Sequence, residues 1–219
     1  MYSFEKLYKF MKTPQVVIGY LLLVIMAYYF IDKPLAIYFH HLDFRTNAPM
    51  LVVLSYLGQF KLYIVSFFFT ALFFRYVNKN EMYETRCWLL LICMAVPVWL
   101  NFILKVSFGR ARPELFFLNN EYGFYWFKFH NLYWSFPSGH ATTVISLMGG
   151  ISLLFPRYFL VVFFLALFVI ATRVVLYNHY LSDVMVAFLI NVIVLGLLTE
   201  YLRKNKCMRD VLYFDKLTK

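Results

Sequence analysis

Apolar runs long enough to cross a bilayer alternate with short polar connections along most of the 219 residues. A helix needs about 20 apolar residues to span the hydrocarbon. That rule places candidate spans near residues 14–32, 60–77, 87–107, 140–156, 158–178 and 184–202. Met50 to Leu57, closed by Gly58, is a further apolar stretch too short to cross, and it reads as a short helix at the interface or packed between others. The pattern predicts an all-α polytopic membrane protein with six transmembrane helices and an extra short interfacial helix. No repeat, linker or low-complexity run interrupts it, so residues 1–219 read as a single domain.

Composition points the same way, since 63% hydrophobic and 22% aromatic residues with only 15% charged exceed what a soluble core of this size can hide. The net charge of +10 sits mainly at segment ends, with no aromatic-studded basic stripe, which makes it a topology signal and excludes nucleic acid as the expected partner. Lys6, Lys9, Lys12, Arg75, Lys79, Arg86, Arg157 and the basic residues from Arg203 to Lys219 fall on one side and make up most of the 21, which places both termini in the cytoplasm. The lysines ahead of the first run resemble a signal peptide, but no small-residue cleavage site follows Ile31, so an uncleaved first span is expected. Cys87, Cys93 and Cys207 are few and odd in number and read as core fillers without a disulfide.

Three short clusters carry most of the ionisable residues near the outer helix ends. In the first, Lys105 and Arg112 stand seven apart, within about 20° of one face if helical, and Pro113 is expected to end the helix at Arg112. The second, Pro137-Ser138-Gly139-His140, is a turn directly ahead of a span, where free backbone N–H groups face an anion. The third is Thr172-Arg173 followed by His179 and Asp183, four apart and so hydrogen-bond neighbours if helical. The predicted topology sets all three at the non-cytoplasmic face. Lys105 and Arg173 inside helices cost roughly 2.5–3.5 kcal/mol each at the bilayer centre, which marks them as functional candidates.

Three cations, a serine hydroxyl and turn N–H groups suit a phosphoryl group, and two histidines suit covalent transfer, one attacking phosphorus and the other protonating the leaving oxygen. A carboxylate beside a histidine fixes its tautomer. No His, Cys or carboxylate set has metal-ligand spacing, and the adjacent His40 and His41 lack a third ligand, so neither metal nor cofactor is expected. Singly, each cluster has a plainer reading: a turn, a helix-end ion pair, a snorkelling arginine. Their coincident spacing is what those readings leave unexplained. Arg110 reads as a solvent or headgroup contact, and Lys128 and His130 as ordinary surface residues. The connection from Phe108 to Phe136 is dense in aromatics and reads as an interfacial belt, a lid or wall that grips a lipid near its headgroup, or both at once.

At these residues the chain resembles the type 2 phosphatidic acid phosphatase family, whose signature is Lys, six residues, Arg-Pro; then Pro-Ser-Gly-His; then Ser-Arg, five residues, His, three residues, Asp. Lys105, Arg112 and Pro113 match the first part, Pro137 to His140 the second, and Arg173, His179 and Asp183 the third, with Thr172 in place of the usual serine. The match runs over residues 105–183. The resemblance implies a lipid phosphatase with His179 as nucleophile, Asp183 its partner, His140 the general acid, and Lys105, Arg112, Ser138, Gly139 and Arg173 cradling the phosphate. It also implies a bacterial inner-membrane enzyme with its site on the periplasmic side, acting on a lipid phosphate such as phosphatidic acid, phosphatidylglycerophosphate, undecaprenyl diphosphate or lipid A. A lipid-to-lipid phosphotransferase would carry the same site. A transporter is disfavoured because the charges gather at one face without paired broken helices. Oligomeric state has no sequence signal.

Overall fold

The computed structural model describes residues 3–205, and among them every regular element is helical. Cys207 and the basic residues beyond Asn205 lie outside that range. Helix α1 (Phe4–Met11) leads into α2 (Pro14–Met26), which continues through a π-helical turn (Ala27–Ile31) into α3 (Asp32–Leu42). Two short helices follow, α4 (Phe44–Asn47) and α5 (Pro49–Ser55), and a tight turn through Gly58 precedes α6 (Phe60–Tyr76). The remainder is α7 (Glu81–Phe108), α8 (Pro113–Asn119), α9 (Gly139–Leu154), α10 (Phe159–Val175) and α11 (Leu181–Lys204).

Four stretches are long and apolar enough to cross a membrane: Pro14–Leu42, Glu81–Phe108, Pro156–Val175 and Leu181–Lys204. Pro49–Gly58 and Phe60–Tyr76 make a fifth if that pair, bent by 49°, counts as one. Helix α9 has 16 residues and is therefore about 24 Å long at 1.5 Å per residue, short of the roughly 30 Å hydrocarbon. The structure thus holds four or five candidate spans where the pattern predicts six. The apolar stretch at Met50–Leu57 forms α5 and its closing turn, which pack against α10 and α9.

Helix α9 is the hub, packed against α7, α10 and α11, and almost wholly buried. Small residues permit that closeness, as is usual where helices meet in lipid. A Cβ added at Gly149 would stand 2.7 Å from Leu195 Cδ1, and one at Gly150 2.9 Å from Leu90 Cδ2. Buried amides tie the hub together: Asn101 and Asn191 both donate to Thr142 Oγ1, at 2.9 and 3.1 Å. Cys87 and Cys93 are buried and free.

Two helix ends differ from the sequence expectation. The first long helix runs past Asp32 and Lys33 to Leu42, because Asp32 is buried and hydrogen-bonded rather than at a polar boundary. Helix α7 stops at Phe108, not Arg112. Gly109, at φ 54°, closes it in the left-handed conformation that glycine adopts most readily, and a side chain there would crowd Trp126 N at 3.1 Å. Arg112 is instead the extended residue that precedes Pro113 at the start of α8. Lys105 and Arg112 therefore do not share a helical face.

Candidate active site

A cavity of about 670 Å³ begins at buried His179 and continues past Lys105, Arg112, Gly139 and His140 to Phe60, Trp99 and Phe102, which are exposed on the outside of the bundle. Five of the eight candidate residues thus line one space. Its remaining wall is mostly apolar, from the N-terminal part of α6 and the middle of α7. Ser138, Arg173 and Asp183 are buried and are not among its lining residues.

Each element end delivers its residue for a local reason. Ser138 caps α9, its hydroxyl accepting the Ala141 N–H at 3.4 Å, so Gly139 and His140 open the helix at the cavity. Lys105, in the last turn of α7, reaches across to donate to the Trp134 carbonyl at 2.6 Å, and its side chain passes Gly139 so closely that a Cβ there would stand 3.4 Å from Lys105 Cε. Arg112 is fixed by its backbone N–H to Leu132 O at 2.9 Å and by Nε to Asn131 O at 3.0 Å. Arg173 lies in the last turn of α10 and donates through Nη1 to Ser55 Oγ at 3.1 Å. The hydroxyl of Thr172 returns to its own helix at Val169 O, 2.6 Å away.

His179 is not on the same helix as Asp183. It ends the connection between α10 and α11, whereas Asp183 occupies the third position of α11, where its carboxylate accepts the Tyr180 N–H at 2.9 Å. The expected direct hydrogen bond between them is replaced by a relay. His179 Nδ1 lies 2.8 Å from Ser135 O and 3.7 Å from Asp183 Oδ2. A carbonyl can only accept, so Nδ1 carries the proton and Nε2 keeps its lone pair. Ser135, fully buried, also donates from Oγ to Asp183 Oδ2 at 2.6 Å. Burial above all, with Arg112 and Lys105 adding to it against Asp183, holds the imidazole well below its ordinary pKa, so the ring is neutral.

Arg110 is neither solvent- nor headgroup-facing. It is fully buried: one amine donates to Asp183 Oδ1 at 2.5 Å and to Ser182 Oγ at 2.7 Å, while the other meets Asp32 Oδ2 at 2.8 Å. Asp32, Ser135, Ser182 and Arg45 escaped the sequence reading. Arg45 grips the connection that carries His179, donating to Leu176 O and Asn178 Oδ1 at 2.9 Å each. Nothing in their immediate sequence separates Ser135 and Ser182 from other serines. Asp32 did carry a signal, a carboxylate beside an apolar run.

The aromatic connection divides. Phe108, Phe124 and Phe136 pack edge to face on one another, while Trp126, Phe127 and Phe129 are exposed. Lys128 and His130 are exposed too. His40 stacks on Phe117 with centroids 3.9 Å apart. Among the described residues no group of three His, Cys, Asp or Glu side chains is gathered as a metal ion would need.

Comparison with known proteins places residues 86–207 under the model of the PAP2 superfamily. The lipid A 1-phosphatases of Rhizobium johnstonii and Rhizobium etli are each 43% identical over 82 residues, 37% of this chain. The match spans only about a third of those relatives, 34% and 35% of their lengths. No solved structure matches.

Proposed function

Because the chain belongs to the PAP2 superfamily, we propose that it is an integral membrane lipid phosphatase working through a phosphohistidine on His179. The observation that carries this reading is the cavity in which the bare Nε2-bearing ring, a second histidine and two cations meet at the end of an apolar passage. Nε2 attacks phosphorus, and the P–O bond to the lipid breaks. His140 gives its proton to the leaving alkoxide, and water then cleaves the P–N bond to release phosphate. Lys105, Arg112 and Arg173, with Ser138 and the Gly139 N–H, hold the phosphoryl oxygens, where charge gathers in the transition state. The cations supply what a metal would, so no cofactor is required.

The substrate is a lipid whose headgroup phosphate reaches the cations while its chains occupy the apolar wall between α6 and α7. The relatives' names make the 1-phosphate of lipid A one candidate; phosphatidic acid, phosphatidylglycerophosphate and undecaprenyl diphosphate are the others. The reading takes residues 1–219 as one domain with six crossings in an inner membrane. Helix α6 and the short α9 complete the count, α5 lies near the interface, both termini are cytoplasmic, and the site opens to the periplasm. Phosphotransfer to a second lipid is the alternative, since the acceptor is set by access to the phosphohistidine.

The test is phosphate release by purified protein in detergent from a panel of phospholipids, prenyl diphosphates and lipid A, with and without chelator. Release unaffected by chelator is expected. Loss in chelator with recovery on adding a divalent ion would overturn the metal-free mechanism, and phosphate found only on a second lipid would establish the transferase.

A further outcome concerns the turn after α5. A Cβ at Gly58 would stand 2.5 Å from His140 Cδ2 and 2.8 Å from its Cβ, so something must move. Gly58→Ala is expected to lower kcat, up to about a hundredfold for a displacement near 1 Å, with folded yield retained. An unchanged kcat would show that the ring adapts at no cost.

A further inference from the structure

Three charged side chains from distant parts of the chain form a sealed cluster behind His179. Arg110, Asp32 and Asp183 all have side chains wholly removed from solvent. The guanidinium is a fork between two carboxylates and lies over the rings of Tyr180 and Tyr28, 4.6 and 4.8 Å from their centroids. Every carboxylate oxygen is used. Asp32 Oδ1 accepts the Ser182 N–H at 3.0 Å, and its Oδ2 takes the Ser182 hydroxyl as well as Arg110. Asp183 Oδ1 takes Arg110, and its Oδ2 takes Ser135 and Tyr180 N.

One arginine against two carboxylates leaves the cluster one negative charge in excess. A buried ion pair normally reaches neutrality, because an uncompensated charge in low dielectric is costly. Tyr28, Tyr122 and Tyr180 also touch the cluster, but a phenol cannot supply a positive charge; His179, with Nδ1 3.7 Å from Asp183, is the neighbouring ring that can. On the cavity side the ring faces Lys105, Arg112 and His140. When Nε2 bonds to phosphorus and Nδ1 keeps its proton, the imidazole becomes cationic, and the cluster with the ring is then neutral.

We propose that Arg110 and Asp32 are positioning residues of the reaction: Asp32 takes up part of the Arg110 charge, so that Asp183 keeps a net negative charge for the cationic phosphohistidine. This rests on the phosphatase reading. Arg110 itself stays charged, for although desolvation opposes it, Asp183 and Asp32 raise its pKa above the ordinary arginine value.

The test is Asp32→Asn, nearly isosteric and short of one charge. With Asp32 neutral, Arg110 compensates Asp183 fully. The expected result is kcat lower by up to about a hundredfold, the scale of a misplaced catalytic group, with KM within about twofold, a lower phosphoenzyme level, and the acid limb of kcat/KM moved to lower pH. That sign follows because removing negative charge near a histidine lowers its pKa. Asp32→Glu should restore part of kcat. Arg110→Lys, which keeps the charge but gives up the fork, should lower kcat in the same manner, and it serves if Asp32→Asn yields no folded protein. If wild type releases phosphate and His179→Ala does not, while the folded Asp32→Asn or Arg110→Lys protein keeps the wild-type kcat and acid limb, the positioning role is overturned and the phosphatase reading stands. If wild type releases no phosphate from any lipid of the panel, the underlying reading has failed.

Discussion

His179→Ala is expected to lower phosphate release by at least about 10⁴-fold, the scale on which removing a covalent nucleophile acts. The argument is geometric. Ser135 O fixes the proton on Nδ1 at 2.8 Å, which leaves Nε2 as the one unprotonated nucleophile on a ring that lines the cavity. With the pKa held down by burial, the ring stays unprotonated as pH falls through the ordinary histidine value of about 6.5. The acid limb of kcat/KM should accordingly lie below that value. Rapid quenching with phosphate-labelled substrate should trap a phosphoramidate on the wild type, stable in base and labile in acid, and none on the variant. A variant that retained the label would move the nucleophile elsewhere.

The second large effect belongs to His140 and depends on the leaving group. General acid catalysis is worth roughly 10²–10⁴-fold, and it matters most where an alkoxide departs. His140→Ala should show losses of that size on a lipid phosphate but little loss on an aryl phosphate whose phenolate leaves without a proton. Equal losses on both substrates would assign His140 to the phosphate cradle rather than to the leaving oxygen.

Much of this site was legible in the chain. The three clusters could be read because their residues stand in fixed local order, and Lys105, Arg112, Gly139, His140 and His179 do meet in one cavity. The errors have a shared physical origin, in that local spacing says nothing about a partner far along the chain. Asp32 and Lys33 look like the polar end of a helix. The helix continues to Leu42 because the acid finds Arg110 and Ser182, 78 and 150 residues away. Arg110 looks like a surface cation two residues from Arg112, but Gly109 ends α7 early and turns it inward. The four-residue spacing of His179 and Asp183 suggested one helix turn, whereas the helix starts between them and Ser135, 44 residues earlier, bridges the gap. The expected span at residues 140–156 is the 16-residue α9, which owes its burial to neighbouring helices and carries glycine, serine and threonine where a lipid-facing span would carry leucine.

The ion cluster also constrains how the protein is made. Its members belong to the first long helix, the connection after α7 and the last helix, so no partial chain holds the set. During synthesis the first helix enters the bilayer with Asp32 unpartnered, an isolated acid whose insertion costs roughly 2.5–3.5 kcal/mol at the centre. Arg110, in the connection after α7, relieves that acid as a balanced pair, and Asp183, arriving with α11, gives the cluster its excess negative charge. Truncation before Asp183 should leave that pair balanced but remove the carboxylate that stands beside His179.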